Sequence, residues 1–77
     1  MINIVGTNIR YYRKLKGLSI DKLAVLCECE PKQIGNYELG KVEISVSMVS
    51  IIAKQLDVEP YMLMIPPKED SSTAPQI

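Results

Sequence analysis

Apolar residues recur every three or four positions through most of this chain, and each recurrence ends at a glycine, a proline or a short polar cluster. Over 4–16, Val5, Ile9 and Tyr12 follow spacings of four and three, the stripe of a helix with one buried face. Arg10, Arg13, Lys14 and Lys16 occupy the rest of that helix, and Gly17 stops it in the usual left-handed manner before Leu18 returns to the core. Ser19 caps a second, short helix over 20–27, whose apolar positions are Ile20, Leu23, Ala24 and Cys27. Ala24 predicts a close helix crossing. After Glu28, Cys29 and Glu30, Pro31 is placed for the first turn of a third helix over 31–39, where its missing N–H costs nothing. Ile34 and either Tyr37 or Glu38 face inward there, and Gly40 closes the helix. Ser45 or Ser47 caps a fourth helix, SMVSIIAKQL, with Met48, Ile51, Ile52 and Leu56 on its buried side. A fifth short helix starts at Pro60 and carries Tyr61, Leu63, Met64 and Ile65, until Pro66 and Pro67 end it.

The pattern predicts an all-α fold, a compact five-helix domain over 1–66, with a polar tail over 67–77 that is expected to be disordered. The joint between helices two and three has only three residues. So short a joint makes the helices cross steeply rather than lie back to back, which is a helix-turn-helix.

Length and charge change this picture in two ways. A chain of 77 residues gains only a few kcal/mol from its own core, so a second subunit would be a useful supplement. Net charge is zero, which argues against strong electrostatic binding of nucleic acid. The distribution softens that argument. Residues 1–40 hold six basic side chains against four acidic ones, and the remainder three against five. A mildly basic first half suits a nucleic-acid face there.

Other chemistries find little support. The sequence has no histidine, no nucleophile beside a plausible base, no phosphate-binding glycine loop and no metal-ligand set, so no enzyme activity, catalytic residue, metal or cofactor is expected. Cys27 and Cys29 stand too close for a comfortable disulfide and read as two small buried thiols in a reducing cytoplasm. No apolar run reaches the length of a membrane span, and MINIVGTNIR has no basic region followed by an apolar core, so neither membrane insertion nor secretion is expected.

The stretches IRYYRKLKGLSIDKLA, IGNYELGK and AKQLDV together resemble the Cro/cI-type, or xenobiotic-response-element-type, helix-turn-helix domain of phage repressors and small bacterial regulators. The resemblance covers about 4–65. It implies a lambda-repressor-like five-helix domain that binds DNA as a dimer through its third helix. It also implies core positions at Ile9, Leu18, Leu23, Ala24, Ile34, Leu56 and Val58, and an ion pair between Arg13 and Glu38 that pins the reading helix to helix one. Gly40 and Lys41 match the turn after the reading helix, where a backbone amide or a basic side chain meets a phosphate. The sequence departs from the family where a glutamine usually opens helix two, here Ile20, and where a glycine usually stands in the joint, here Glu28. Glu30 adds a further negative charge at the start of helix three.

On helix three, Pro31, Lys32, Gly35 and Asn36 are expected to point away from the core, with Gln33 nearer the side. Lys32 suits guanine O6 or N7, Asn36 suits the bidentate adenine pair, and Pro31 offers only an apolar contact. Gly35 permits close approach to a groove at some loss of helix propensity. Lys22, Lys41, Arg10 and Lys14 are the candidates for backbone phosphates. Tyr61, Leu63, Met64 and Ile65 exceed what one short helix needs for its own docking and are assigned to a dimer interface, with Ile44 and Val46 beside them. The expected function is a cytoplasmic transcriptional regulator. Its expected partners are double-stranded DNA, a second copy of the chain and a regulatory protein. Neither a membrane nor a small-molecule ligand is expected. The alternative keeps the scaffold but not the DNA: a protein-interaction module of antitoxin or anti-repressor type, which Ile20, Glu28, Glu30 and the zero net charge favour.

Overall fold

A computed structural model of the chain describes residues 3–66, so the tail expected over 67–77 lies outside the described residues. The described residues form α1 (Ile4–Leu15), α2 (Ile20–Cys27), α3 (Pro31–Leu39), α4 (Val46–Leu56) and one turn of 3-10 helix at Pro60–Leu63, with no strand among them. The N-caps follow from side-chain chemistry. Asn3 accepts from the Gly6 amide, Ser19 from Lys22 and Ser45 from Met48, each satisfying one of the amides that a first turn leaves without a helical partner.

All four helices end by the same device. A residue with positive φ (Gly17, Glu28, Gly40 or Asp57) lets the chain reverse, and the next amide donates to the carbonyl five residues back. The pairs are Leu18 to Arg13, Cys29 to Ala24, Lys41 to Asn36 and Val58 to Ala53, at 2.9–3.1 Å. Leu18, Cys29 and Val58 then fold back onto the core. The joint does therefore require a left-handed residue, and at Glu28 (φ 58°) a side chain pays for it. The carboxylate also stands at the negative end of α2. Glu28→Gly removes both penalties at the cost of a more flexible unfolded chain. The expected net gain is about 1 kcal/mol, a rise of about 4–8 °C in a melt followed by circular dichroism. An unchanged or lowered melting temperature would show that the joint carries no such strain.

The core is a single cluster. Ile9, Leu23, Ala24, Ile34, Ile52, Ala53 and Leu63 are fully covered, with Cys27, Tyr37, Val49 and Leu56 around them. Val5, Tyr12, Leu18, Ile20 and Met48 pack at its margin. In α4 the buried arc is Val49, Ile52, Ala53 and Leu56, so Ile51, expected inside, is exposed. The apolar run VSMVSIIA fits two helical phases. The observed one covers the small Ala53 completely, on a helix that packs against α1, α2 and the 3-10 turn.

The fifth element is a correction of type. Pro60–Leu63 is a single 3-10 turn, closed by Met62 N to Glu59 O and Met64 N to Tyr61 O, so the described residues hold four α-helices and not five. One constraint opposes an α-helix: Ile65 precedes Pro66, which disfavours helical torsions there. The carbonyls of Leu63 and Ile65 are taken by the side chain of Asn8, which donates to them at 3.0 and 2.6 Å. Asn8 is itself buried in α1, a polar residue inside the core that exists to hold this segment.

Candidate nucleic-acid interface

The three-residue joint sets α3 across α2 with its first turn protruding. Pro31 occupies the first helical position, and Glu30 before it makes no side-chain cap. Ile34, Tyr37 and Glu38 face inward and are buried. On the outer side Pro31 and Lys32 are exposed, and Gln33, Gly35 and Asn36 are half-buried. An alanine-sized side chain at Gly35 would meet nothing within 4 Å, so among the described residues nothing calls for a glycine there.

Two contacts with α1 fix the direction of α3. The Arg13 guanidinium grips Glu38 with Nε to Oε2 at 2.6 Å and Nη2 to Oε1 at 3.1 Å, while Nη1 donates to the carbonyl of Leu18 at 2.9 Å. Both side chains are more than nine-tenths covered. This is the fork geometry in which Arg outperforms Lys. The second contact joins the start of α1 to the end of α3. Asn3 caps α1 with Oδ1 and donates Nδ2 to the carbonyl of Glu38 at 2.8 Å. Gly6 makes this approach possible, because a Cβ there would lie 2.2 Å from the carbonyl oxygen of Tyr37. Asn3 and Gly6 had gone unremarked in the sequence, although Asn immediately before an apolar-periodic run is a helix-start signal, and a glycine inside a helical pattern marks close packing.

The open side of α3 borders a shallow depression lined by Glu30, Lys32, Gln33, Asn36, Tyr37, Val42 and Glu43. Lys32 and Asn36 therefore share one surface with two carboxylates. Gln33 is not free in it, since its Nε2 donates to the Tyr37 hydroxyl at 2.7 Å. Lys41 is exposed beyond the end of α3, but its amide and that of Gly40 are spent on the carbonyls of Asn36 and Tyr37. A phosphate at this turn would meet the Lys41 side chain rather than either amide, which narrows the sequence expectation. Lys22 is exposed near the start of α2. Arg10 and Lys14 line a separate depression on the outer face of α1 with Thr7, Tyr11 and Leu15, so they are not gathered with the α3 residues.

Of the residues assigned to a dimer contact, Tyr61, Met64 and Ile65 are 61%, 47% and 40% exposed. Leu63 is fully covered within the single chain and has no surface to offer, because the Asn8 clamp turns it inward. The exposed three divide between two surfaces. Met64 lies beside Ile4, Leu39, Val42 and Ile44, whereas Tyr61 and Ile65 lie beside Tyr11 and Tyr12. Val46 is exposed as well. The cysteines are free thiols. Cys27 is buried and Cys29 only half-buried, against the expectation that both are inside. Burial, and then the neighbouring Cys29, push the Cys27 thiol up to about 11, which leaves it protonated and unreactive at neutral pH. Among the described residues no helix is long and apolar enough to cross a membrane.

The family model for the helix-turn-helix matches residues 9–63. A hypothetical transcription factor of Neisseria meningitidis serogroup B is 30% identical over 66 residues, which span 86% of this chain. The chain covers about three fifths (62%) of that curated relative's length. Among solved structures, the hypothetical transcription factor NHTF from Neisseria superposes with a TM-score of 0.84 at 28% identity, over 92% of this chain and 82% of that one. The restriction-modification controller protein C.AhdI from Aeromonas hydrophila gives 0.74 at 34% identity, over 77% and 86%.

Proposed function

The chain belongs to the helix-turn-helix family, of the Cro/cI type that its sequence resembles, and on that premise we propose that it is a transcriptional regulator that binds double-stranded DNA sequence-specifically as a homodimer, with α3 in the major groove. The observation that carries this reading is the free outer face of α3. Among the described residues Lys32 is exposed and Asn36 partly so, and α3 is clamped by Arg13–Glu38 and Asn3. A clamped helix enters a groove without an ordering cost at that moment. Asn36 serves adenine through its amide and Lys32 serves guanine through its ammonium. Lys22 and Lys41 serve phosphates. Tyr61, Met64 and Ile65 supply apolar surface for the second copy.

Glu30 and Glu43 limit this function without abolishing it. They share the depression with Lys32, so phosphate attraction by one copy is weak, and two-fold binding to paired half-sites supplies the missing affinity. The same two carboxylates, together with Val42, favour the second reading, a protein-interaction module that presents this surface to a basic and apolar partner.

Selection of bound duplexes from a random pool, at low and at physiological salt, separates the readings. The expected result is an enriched palindrome. Asn36→Ala then relaxes one base position by about 1–3 kcal/mol, tenfold for each 1.4, and Lys32→Ala relaxes another. No enriched palindrome, or enrichment that both substitutions leave untouched, would move the function to the protein-binding reading.

A further inference from the structure

The side chain of Glu30 does nothing for the fold around it. It stands at the N-cap of α3, where a short polar side chain would accept from a first-turn amide, and it makes no such bond. Its main chain is nonetheless held in one direction. The carbonyl accepts from the Gln33 and Ile34 amides at 3.0 and 3.3 Å, and Pro31 after it keeps it extended, at φ −85° and ψ 145°. The carboxylate is exposed and shares a surface with Lys32 and Asn36. Among the described residues the ion pairs are Arg13–Glu38 and Lys16–Asp57, so Glu30 and Lys32 line one depression without neutralising each other.

We propose that Glu30 is a specificity-determining residue: its carboxylate accepts a hydrogen bond from the N4 amino group of a cytosine at one position of each half-site, beside the guanine that Lys32 reads. This rests on the DNA-binding reading above. In a helix-turn-helix the N-terminal residues of the second helix meet base edges, and Glu30 stands at that end of α3, whereas Glu43 lies past the other end. A carboxylate carries acceptors only. The major groove answers it with a donor in two places, N4 of cytosine and N6 of adenine. Adenine sets its N7 acceptor beside the amino group, where it repels the second carboxylate oxygen, and cytosine sets only a C–H there. Guanine and thymine present acceptors and no donor. A G·C pair thus shows guanine acceptors and a cytosine donor in one groove, the complement of a cation and an anion held unpaired on one surface. The charge that weakens attraction to phosphates on every sequence is offset only where an amino group faces it.

The test uses the full chain and the duplex enriched by the wild type, with each base tried at every half-site position and N4-methylcytosine in place of each cytosine in turn. A methyl on N4 keeps the Watson–Crick pair and removes the N–H that faces the groove. The wild type is expected to prefer cytosine roughly tenfold at one position, and to lose about as much when that cytosine is N4-methylated. Glu30→Ala, checked for folding by thermal melts, is expected to bind all four bases at that position within about threefold and to ignore the methyl group, while every other position keeps its preference. A wild-type profile without such a cytosine, or a Glu30→Ala protein that keeps the preference, would overturn the proposal and leave DNA binding intact. So would a Glu30→Ala protein that binds every sequence more tightly by one common factor, the carboxylate then acting on phosphates alone. A wild type that enriches no duplex would overturn both.

Discussion

Glu38→Ala is expected to unfold most of the protein at physiological temperature. The reason is what it leaves behind. Arg13 is held by three hydrogen bonds, two of them to Glu38, in a place where its side chain is 8% exposed. Guanidinium does not lose its proton, so the variant must either bury an unpaired charge or pull α3 away from α1 to hydrate it. Breaking such a pair from one side costs about 3–5 kcal/mol, comparable to the whole stability of so small a domain. Replacing both partners, Arg13→Met with Glu38→Leu, removes the stranded charge and is expected to recover more than half of the loss, since a buried pair and a well-packed apolar pair are similar in net stability. Urea unfolding of the singles and the double measures this. A loss below about 1 kcal/mol in Glu38→Ala would mean that the pair behaves as an exposed one and does not clamp α3. Lys16 with Asp57 is the internal contrast. That pair joins the ends of α1 and α4, but Asp57 is largely exposed, and its removal is expected to matter little.

What could be read in the residues alone was local. Stripe spacing located the helices to within a residue or so, because burial of one face repeats every three or four positions and the caps are short-range hydrogen bonds: Ser19, Gly17, Pro31 and Gly40 act on neighbours in the chain. Glu28 stood out only through the resemblance, which places a glycine there, since nothing in ECE itself demands a reversal. The same holds for Arg13. Three cations lie on α1 and Lys16 follows it, and periodicity alone does not say which one is buried. The contacts that escaped are those between residues far apart in the chain. Asn8 reaches 55 and 57 residues to clamp the C-terminal turn, and Asn3 reaches 35 residues to the end of α3. No periodic signal encodes a partner at such a distance. The fifth helix failed for a local reason: Tyr61, Leu63, Met64 and Ile65 suit a helix by composition, but Pro66 disfavours helical torsions at Ile65, and a single 3-10 turn forms instead. At the candidate site, the outward face of α3 was legible from its phase, whereas the Gln33–Tyr37 contact and the gathering of Glu30 and Glu43 around Lys32 needed the fold.

Two glycines in this small domain are expected to respond to the same substitution in opposite ways. Gly6→Ala should cost about 2–4 kcal/mol. Its new Cβ would stand 2.2 Å from the backbone oxygen of Tyr37 and 2.4 Å from Asn3 Nδ2. Backbone cannot rotate out of the way as a flexible side chain can, so α1 and α3 must separate and the Asn3 bridge to Glu38 must break with them. Overpacking and the lost cap then add. Gly35→Ala meets open space and removes a flexible residue from a helix interior, so it should stabilise the chain by about 0.5–1 kcal/mol. If α3 lies in a groove, the methyl at Gly35 falls between helix and DNA, and the more stable protein should bind its selected duplex less tightly. Thermal melts and duplex titrations on the two variants separate these effects. Gly6→Ala should lose stability first and DNA affinity as a consequence of a misplaced α3. Gly35→Ala should gain the one and lose the other. A Gly35→Ala protein that is both more stable and undiminished in binding would mean that the helix does not approach DNA through this face, because no contact among the described residues requires a glycine at that position.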